Sequence, residues 1–482
     1  MGFKQVITKK VFFSLFVIFT ALNAKAQHQD PSWSARRAII NDQCVANDSL
    51  CNVLHNLGTF EGHVRNFFMA TVNHADYPDY YAHAMGGGLG YYSPIIKNFQ
   101  VGLSGYAIYK IASSPLGPEG PYQNRYELAL FDVSDPHNTE DLDRLEDLYL
   151  RYYLFEENKS YAQIGKFHLK TPLVNLQDGR MRPNLQEGTW LEFNELDKVK
   201  IKAGWLWATS PRGTVKWYSM GESVGVYPNG KAVNGNKAQY AGNVNTRNVL
   251  IAALSLKPTK DLTYQLWNYY ADNLFNISLH KFELKKEKPH ATIYAGMQYL
   301  WQQSLYNDTL AIEKQYITQA EQSHSFSGRL SVTNKHSGEE WNLNYTRITS
   351  HGRFLFPREW GVESFYTFMQ RERMEGMGDV HAVMVQNNHG FDKHKQLSLH
   401  SSAGIFLLPE VDNARINKYA MPSFYQVNLR MSYKFSGFLQ GLQTDVLYLY
   451  KGNLQNSIAE VPAFYHNKVD MHHLSVVLDY YF

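Results

Sequence analysis

Residues 472–482, HHLSVVLDYYF, end the chain with a regular alternation of side chains. Every second residue from Leu474 to Phe482 is apolar, whereas Ser475 and Asp479 have the other parity. Because successive side chains of a β-strand point to opposite faces, this pattern predicts a strand with one apolar face. A final strand that ends in Phe is typical of a bacterial outer-membrane barrel.

The same period-2 pattern recurs from about residue 60 onward, with the apolar residues on one parity in each stretch. The clearest stretches are 99–111, 148–154, 199–207, 326–332 and 427–435. Many run for about nine to twelve residues and end in Tyr, Trp or Phe, as a lipid-facing band with aromatic girdles requires. No apolar run after residue 26 approaches the roughly 18 residues of a transmembrane helix.

The connections between these stretches alternate in length. Short polar turns are expected at 93–98, 156–160, 195–197 and 257–261, and long loops at 112–144, 170–187, 209–246 and 301–323. We therefore predict an all-β fold, a transmembrane antiparallel β-barrel of about 18 strands with long extracellular loops. The alternation yields nineteen candidate strands, one too many for an even number, and the register is least certain in 361–408.

The N-terminus predicts export. Lys9 and Lys10 precede an apolar core, and Ala24-Lys25-Ala26 fits a cleavage site, so residues 1–26 are predicted to be a signal peptide; a membrane anchor is the alternative. Residues 27–57 are expected to form a periplasmic segment, and 58–482 the barrel. Removal of the lysine-rich signal leaves a nearly neutral chain, which argues against nucleic-acid binding.

Cys44 and Cys51 are the only cysteines and lie in the 27–57 segment. In an oxidising compartment we expect them to form a disulfide; zinc binding or redox catalysis is the alternative. The 19 histidines show no regular metal-ligand spacing, and Gly86-Gly87-Gly88 lies within a predicted strand, not in a phosphate-binding loop. We expect no cofactor.

Three stretches resemble the OprD-type family of substrate-specific outer-membrane porins. They are Gly58–Tyr109 with its AMGGGLGY segment, Ile164–Gly188 with TPLV and DGRMRP, and Val427–Leu442 with FSGFLQGL. The resemblance implies an 18-stranded barrel with a monomeric pore in the bacterial outer membrane. Such a pore passes small solutes, often carboxylates, through a channel with an arginine ladder and an infolded third loop. The two-cysteine segment departs from the family pattern.

Candidate channel residues follow from strand parity and from the resemblance. Parity directs Arg151, Arg329 and Arg430 inward, and the family motif assigns Arg65 to the same side. Guanidinium groups stay charged and offer a planar fork to carboxylates, so a row of them provides successive weak sites. The alternative is that each arginine pairs with an acidic neighbour in the wall.

The third extracellular loop, 170–187, contains Asp178, Arg180 and Arg182. If this loop folds inward, as the resemblance implies, its charges form the constriction of the channel. A solvated outer loop is the alternative.

The leading hypothesis is a passive porin, not an enzyme, for small polar solutes that are anionic or zwitterionic. An outer-membrane barrel hydrolase of the lipase or protease type, with His324-Ser325 or His400-Ser401, and a surface-binding barrel are the alternatives. Adjacent strand residues face apart, which disfavours both dyads. Expected partners are small solutes, membrane lipid and, through Phe482, the barrel-assembly machinery; the oligomer is expected to be a monomer or a trimer.

Overall fold

The computed structural model describes residues 57–482 apart from 75, 119–121, 123, 125, 139, 156–158, 178, 392–395 and 456–457. In these residues the chain forms nineteen strands: β1 Thr59–Val72, β2 Tyr80–Tyr92, β3 Phe99–Ser113, β4 Asp143–Tyr153, β5 Tyr161–Phe167, β6 Leu185–Leu196, β7 Val199–Ser210, β8 Tyr218–Ser219, β9 Val249–Leu256, β10 Leu262–Ala271, β11 Phe275–Glu287, β12 Ala291–Ser304, β13 Gln322–Asn334, β14 Glu340–Ile348, β15 Val380–Gly390, β16 Leu397–Leu407, β17 Phe424–Lys434, β18 Leu442–Asn453 and β19 Met471–Tyr481. Short helical segments are Leu128–Leu130, Met220–Ser223, Ile312–Lys314, Gly437–Leu439 and Pro462–Tyr465.

Eighteen of the described strands close into one antiparallel ring. Each pairs with its neighbours in chain order, and β1 pairs with both β2 and β19, which closes the barrel. The two-residue β8 lies outside the ring, since β7 pairs directly with β9. The predicted antiparallel barrel of about 18 strands is therefore confirmed.

The predicted alternation corresponds to the two faces of the barrel wall. On β19, Leu478 and Tyr480 are exposed on the outside, whereas Ser475 and Asp479 are buried on the inside. Outer apolar side chains meet lipid, and inner polar ones meet the lumen or the loops that fill it.

The two ends of the barrel differ in their connections. One end has short turns, such as 197–198 between β6 and β7, and the other has the long loops. The long loops include L3 (168–184), L4 (211–248), L7 (349–379) and L8 (408–423).

The uncertain region 361–408 holds the second half of L7 followed by β15 and β16. Phe365, Met369 and Met374 of L7 are buried in the apolar core of the long-loop end, in the same cluster as Phe354 and Trp360 just before them. Their apolar character reflects packing inside the barrel, not a lipid-facing strand. This packing explains why alternation gives no secure register here.

The predicted signal peptide 1–26, and Cys44 and Cys51 of the 27–57 segment, lie outside the described residues. In the part of the chain that the structure describes, we find no helix with the length and apolar character needed to cross a membrane.

Candidate functional site

A cavity of about 590 Å³ lies inside the barrel, toward the long-loop end. Its walls come from L3, L7 and the inner faces of the strands. Basic side chains outnumber acidic ones among the described residues that line it. These are Lys170, Arg180, Arg182, Arg212, Lys281, Arg329, Arg358, Arg371, Arg373 and Arg430, against Glu283, Glu363, Glu372 and Glu375.

L3 folds into the barrel, and arginines from other elements bind its backbone. The Tyr269 hydroxyl of β10 donates to Thr171 Oγ1 at 3.0 Å. Further along L3, four backbone carbonyl oxygens accept hydrogen bonds from guanidinium groups. The bonds are those of Gln177 with Arg212 at 3.2 Å, Gly179 with Arg371 at 3.3 Å, Arg180 with Arg65 at 2.7 Å and Pro183 with Arg144 at 2.7 Å. Because carbonyls carry only partial charge, these bonds hold the loop without neutralising the arginines.

Arg180, Arg212 and Arg371 come together from L3, L4 and L7; we call them the arginine triad. A Cβ at Gly179 would lie 3.5 Å from Arg212 Nη1 and 3.6 Å from Arg371 Nη1. Arg180 is buried, and its Nη1 donates to the Gly179 carbonyl at 2.7 Å. Within the described residues, the triad makes no ion pair with a carboxylate.

The pKa values of the triad reflect this crowding. Burial and the neighbouring Arg371 lower the pKa of Arg180 to about 9. Burial and Arg212 lower the pKa of Arg371 to about 10, and burial with Arg180 also lowers that of Arg212. Arg180 and Arg371 therefore stay charged at neutral pH, and the buried carboxyl of Glu127 offsets the lowering of their two pKa values only in part. The clustered guanidinium groups make the site electropositive.

Arg182, the second predicted arginine of L3, is paired. Its Nε donates to Glu146 Oε1 of β4 at 2.6 Å, and its guanidinium lies 3.9 Å from the centroid of the Tyr106 ring. Arg144 Nη2 reaches the same Glu146 oxygen at 3.1 Å. One buried carboxylate thus serves two buried guanidinium groups and fixes the end of L3 to β4.

Arg65 and Arg430 also face inward and pair with carboxylates on neighbouring strands. Arg65 of β1 lies opposite Asp479 of β19, with Nε 2.7 Å from Oδ1. Arg430 of β17 lines the cavity, with Nη2 2.8 Å from Asp445 Oδ1. Their positive charge is therefore balanced locally.

Arg329 of β13 lines the cavity without a carboxylate partner among the described residues. Its Nε donates to Asn344 Oδ1 at 2.6 Å, and its guanidinium carbon lies 4.8 Å from the centroid of the Tyr366 ring of L7. L7 is fixed to this wall, since the Tyr366 amide donates to Ser327 Oγ at 2.9 Å.

Arg151 lies apart from the other candidates. It is inward-facing near the short-turn end of β4, where Nη2 donates to Gln163 at 2.8 Å and the guanidinium stacks 4.3 Å from the Tyr161 ring centroid. It does not line the cavity. Asp178 lies outside the described residues.

Inspection of the sequence missed the contributions of L4 and L7. Arg212, Arg358, Arg371 and Arg373 line the cavity beside the predicted residues of L3. A signal was present in 353–375, where arginine and glutamate are dense and alternation is lost. Dense charge next to buried aromatic residues is unusual for an outer loop, which is normally solvated.

The candidate hydrolase dyads are separated by the barrel wall. Ser325 is fully buried on the inner face, whereas His324 lies on the outer face and bonds Tyr299. His400 faces inward to Asn388, with Ser401 on the opposite parity. Among the described residues, no group of three His, Cys, Asp or Glu side chains is placed to hold a metal ion.

Comparison with known proteins agrees with this architecture. A model of the OprD family of outer-membrane porins matches residues 155–371. No curated protein is significantly similar to the chain. Similar solved structures include OccAB2 of Acinetobacter baumannii (13% identity, 89% of this chain and 99% of that chain, TM-score 0.67), OccK9 (OpdG) of Pseudomonas aeruginosa (13%, 88% and 97%, 0.67) and OpdK of Pseudomonas aeruginosa with vanillate (14%, 88% and 98%, 0.64).

Proposed function

Because the chain resembles the OprD-type porins and forms a barrel of the bacterial outer membrane, we propose that it is a passive, substrate-selective porin for small anionic solutes. In this proposal, carboxylate-bearing solutes pass through the cavity, whose narrowest part is formed by L3. Zwitterionic solutes with an accessible carboxylate fit the same chemistry.

The observation that carries the proposal is the arginine triad. Buried charges in proteins are normally paired, and leaving them unpaired is costly. The described part of the chain supplies carbonyl oxygens to these groups but no ion pair. An anionic solute would provide the missing charge, and planar guanidinium groups are suited to the carboxylate fork.

Basic side chains of the barrel wall and aromatic side chains of L7 extend the proposed solute path beyond the triad. Arg329 and Lys281 line the opposite wall, where L7 adds Tyr366 and Phe365. A solute with an aromatic ring and a carboxylate would thus meet apolar ring faces together with basic groups. Arg151, far from the cavity, is proposed as the next basic site toward the short-turn end.

The test is ion selectivity in a planar bilayer under a KCl gradient. We expect the wild-type reversal potential to indicate preference for chloride. R371E should shift it toward cation preference, and so should R329E on the opposite wall. R415E is the matched control, because Arg415 is exposed in L8 and does not line the cavity. Wild-type selectivity in both cavity variants would overturn the arginine-lined path.

Block by a solute tests the substrate class separately. Vanillate is a suitable probe, since it accompanies one of the similar solved structures, and vanillyl alcohol is its neutral analogue. We expect vanillate, but not the alcohol, to reduce chloride conductance, with the apparent affinity weakened about tenfold or more in R371E. Equal block by both compounds would show that charge does not select the solute.

A further inference from the structure

Four tyrosine–histidine pairs occupy the lipid-facing side of the barrel. Each joins the two strands of a hairpin whose tip is a long-end loop, through a bond between the tyrosine hydroxyl and histidine Nδ1. The pairs are Tyr264–His280 at 2.9 Å, Tyr299–His324 at 2.9 Å, Tyr345–His381 at 2.8 Å and Tyr448–His472 at 2.8 Å. We call these eight residues the tyrosine–histidine belt.

The four pairs share one geometry. In each pair, the tyrosine lies directly opposite one residue of the next strand, and the histidine lies two positions before that residue. The residues opposite Tyr264, Tyr299, Tyr345 and Tyr448 are Phe282, Phe326, Val383 and Leu474, respectively. Diagonal neighbours of this kind are within reach of long side chains. Four hairpins of unrelated local sequence repeat this arrangement. The position of each pair in the barrel therefore determines the geometry, and the neighbouring residues in the sequence do not.

Two more hairpins place other polar groups in the same relation. Trp205 Nε1 donates to Asn248 at 2.8 Å, and Asn66 bonds His83 at 3.1 Å. Each histidine of the belt lies in the half of its strand nearer the long loops. On the β10–β13 side the belt is continuous, since the His280 ring lies 6.1 Å from the Tyr299 ring and Tyr299 6.2 Å from His324.

The pairing controls what the histidines present to the membrane. The hydroxyl–Nδ1 distances fit either direction of the bond; when the hydroxyl donates, the imidazole hydrogen lies on Nε2. Within the described residues, Nε2 of His324, His381 and His472 has no hydrogen-bond partner, whereas that of His280 lies 3.3 Å from Ser278 Oγ. Acyl chains cannot accept such a hydrogen bond, so an N–H at the membrane boundary needs an acceptor from the headgroups.

An arginine–aspartate ion pair adjoins one of the tyrosine–histidine pairs. Arg347 lies directly opposite His381 on the same outer face, and its Nη2 is 2.6 Å from Asp379 Oδ1. Arg347 also donates to the carbonyls of Ile348 and Val380, so the Nε2 of His381 is the donor that this cluster offers beside exposed apolar residues such as Val383. Among headgroup acceptors, phosphate oxygens are the strongest for such donors, because their charge shortens and strengthens the bond.

We propose that the tyrosine–histidine belt binds the phosphate groups of lipids in the outer leaflet and thereby fixes the height of the barrel in the membrane. The histidine Nε2–H groups donate to phosphate oxygens, and the tyrosines hold the rings in the donating tautomer. The acyl chains of the same lipids pack on the apolar residues below the belt.

Lipid retention in native mass spectrometry tests this site. The purified full chain is mixed with equal amounts of phosphatidic acid and diacylglycerol, which lacks the phosphate, in excess inorganic phosphate, which separates lipid binding from binding of free phosphate. We expect wild type to retain phosphatidic acid by about threefold over diacylglycerol. H324F/H381F/H472F keeps the rings but removes the donors, and should retain the two lipids equally.

The matched control is H290F/H336F, which alters two exposed histidines in turns at the short-turn end. It should keep the wild-type preference. Y299F/Y345F/Y448F removes only the hydroxyls and should reduce the preference, which provides a second readout if the triple histidine variant does not fold. The proposal fails if wild type shows no preference, or if the histidine or tyrosine variant retains it in full.

Discussion

Arg180, Arg212 and Arg371 hold like charges together inside the protein, and this should make ion selectivity depend on pH. Burial and mutual repulsion lower the pKa of Arg180 to about 9 and that of Arg371 to about 10. These groups carry charge below those values and lose it above them. We expect chloride preference to be steady from about pH 6 to 8 and to decline as pH rises through about 9 to 10.

Reversal potentials measured across this pH range test that expectation. Glu363, whose pKa burial raises, contributes in the same direction, because its protonation on acidification removes a negative charge from the cavity wall. R371Q should flatten the alkaline decline, since one of the titrating groups is gone. An anion preference that grows between pH 8 and 10 would contradict the assignment.

Cys44 and Cys51 allow a test at the residue scale beyond the described structure. We expect them to pair with each other in the oxidising periplasm, because they are close in sequence and are the only cysteines. Intact mass without reductant should then be about 2 Da below the mass after reduction. Two free thiols in exported protein, detected by alkylation, would refute the pairing.

At the scale of elements, one carboxylate fixes the end of L3 that leads into β6. Glu146 binds both Arg182 of L3 and Arg144, which in turn donates to the Pro183 carbonyl. E146Q leaves two buried guanidinium groups without their counter-charge, which typically costs about 3–5 kcal/mol. We expect lower resistance to urea in lipid vesicles and increased current noise, because L3 is released from β4.

E187Q provides the matched control for that variant. Glu187 pairs with Lys166, and both side chains are partly exposed. Such pairs contribute at most about 1 kcal/mol, so its urea midpoint and noise should stay near wild type. Equal effects of E146Q and E187Q would show that Glu146 has no special role in holding L3.

The strands were predictable because each one repeats a local rule, whereas the site was predictable only in part. Alternation places Arg329 and Arg430 on the inner face from sequence alone. The contacts of L3 with Arg65 and Arg371 join residues 115 and 192 positions apart. No local pattern encodes such pairs. L7 was missed for a related reason: its aromatic residues pack inside the barrel, where periodicity is not required.

On the scale of the whole molecule, the barrel depends on one seam where the first and last described strands meet. β1 and β19 pair from His63–Tyr481 to Val72–His472, and beyond the ladder Gly62 and Phe482 exchange backbone hydrogen bonds of 2.7 and 3.1 Å. The Phe482 ring lies over Gly62, so a Cβ there would be 2.2 Å from the ring. The glycine thus leaves room for the terminal aromatic residue.

Substitution of this glycine should weaken closure. G62A forces the Phe482 ring out of its position, and overpacking of this kind costs about 1–3 kcal/mol. An intact barrel should migrate faster on a gel before boiling than after, and we expect G62A to convert to the slow form at a lower temperature than wild type.

G87A is the control, because a Cβ at Gly87 of the adjoining strand β2 meets nothing closer than 3.7 Å. Since alanine is favoured over glycine in strands, G87A should convert at or slightly above the wild-type temperature. If both variants behave alike, the seam does not limit the stability of the closed barrel.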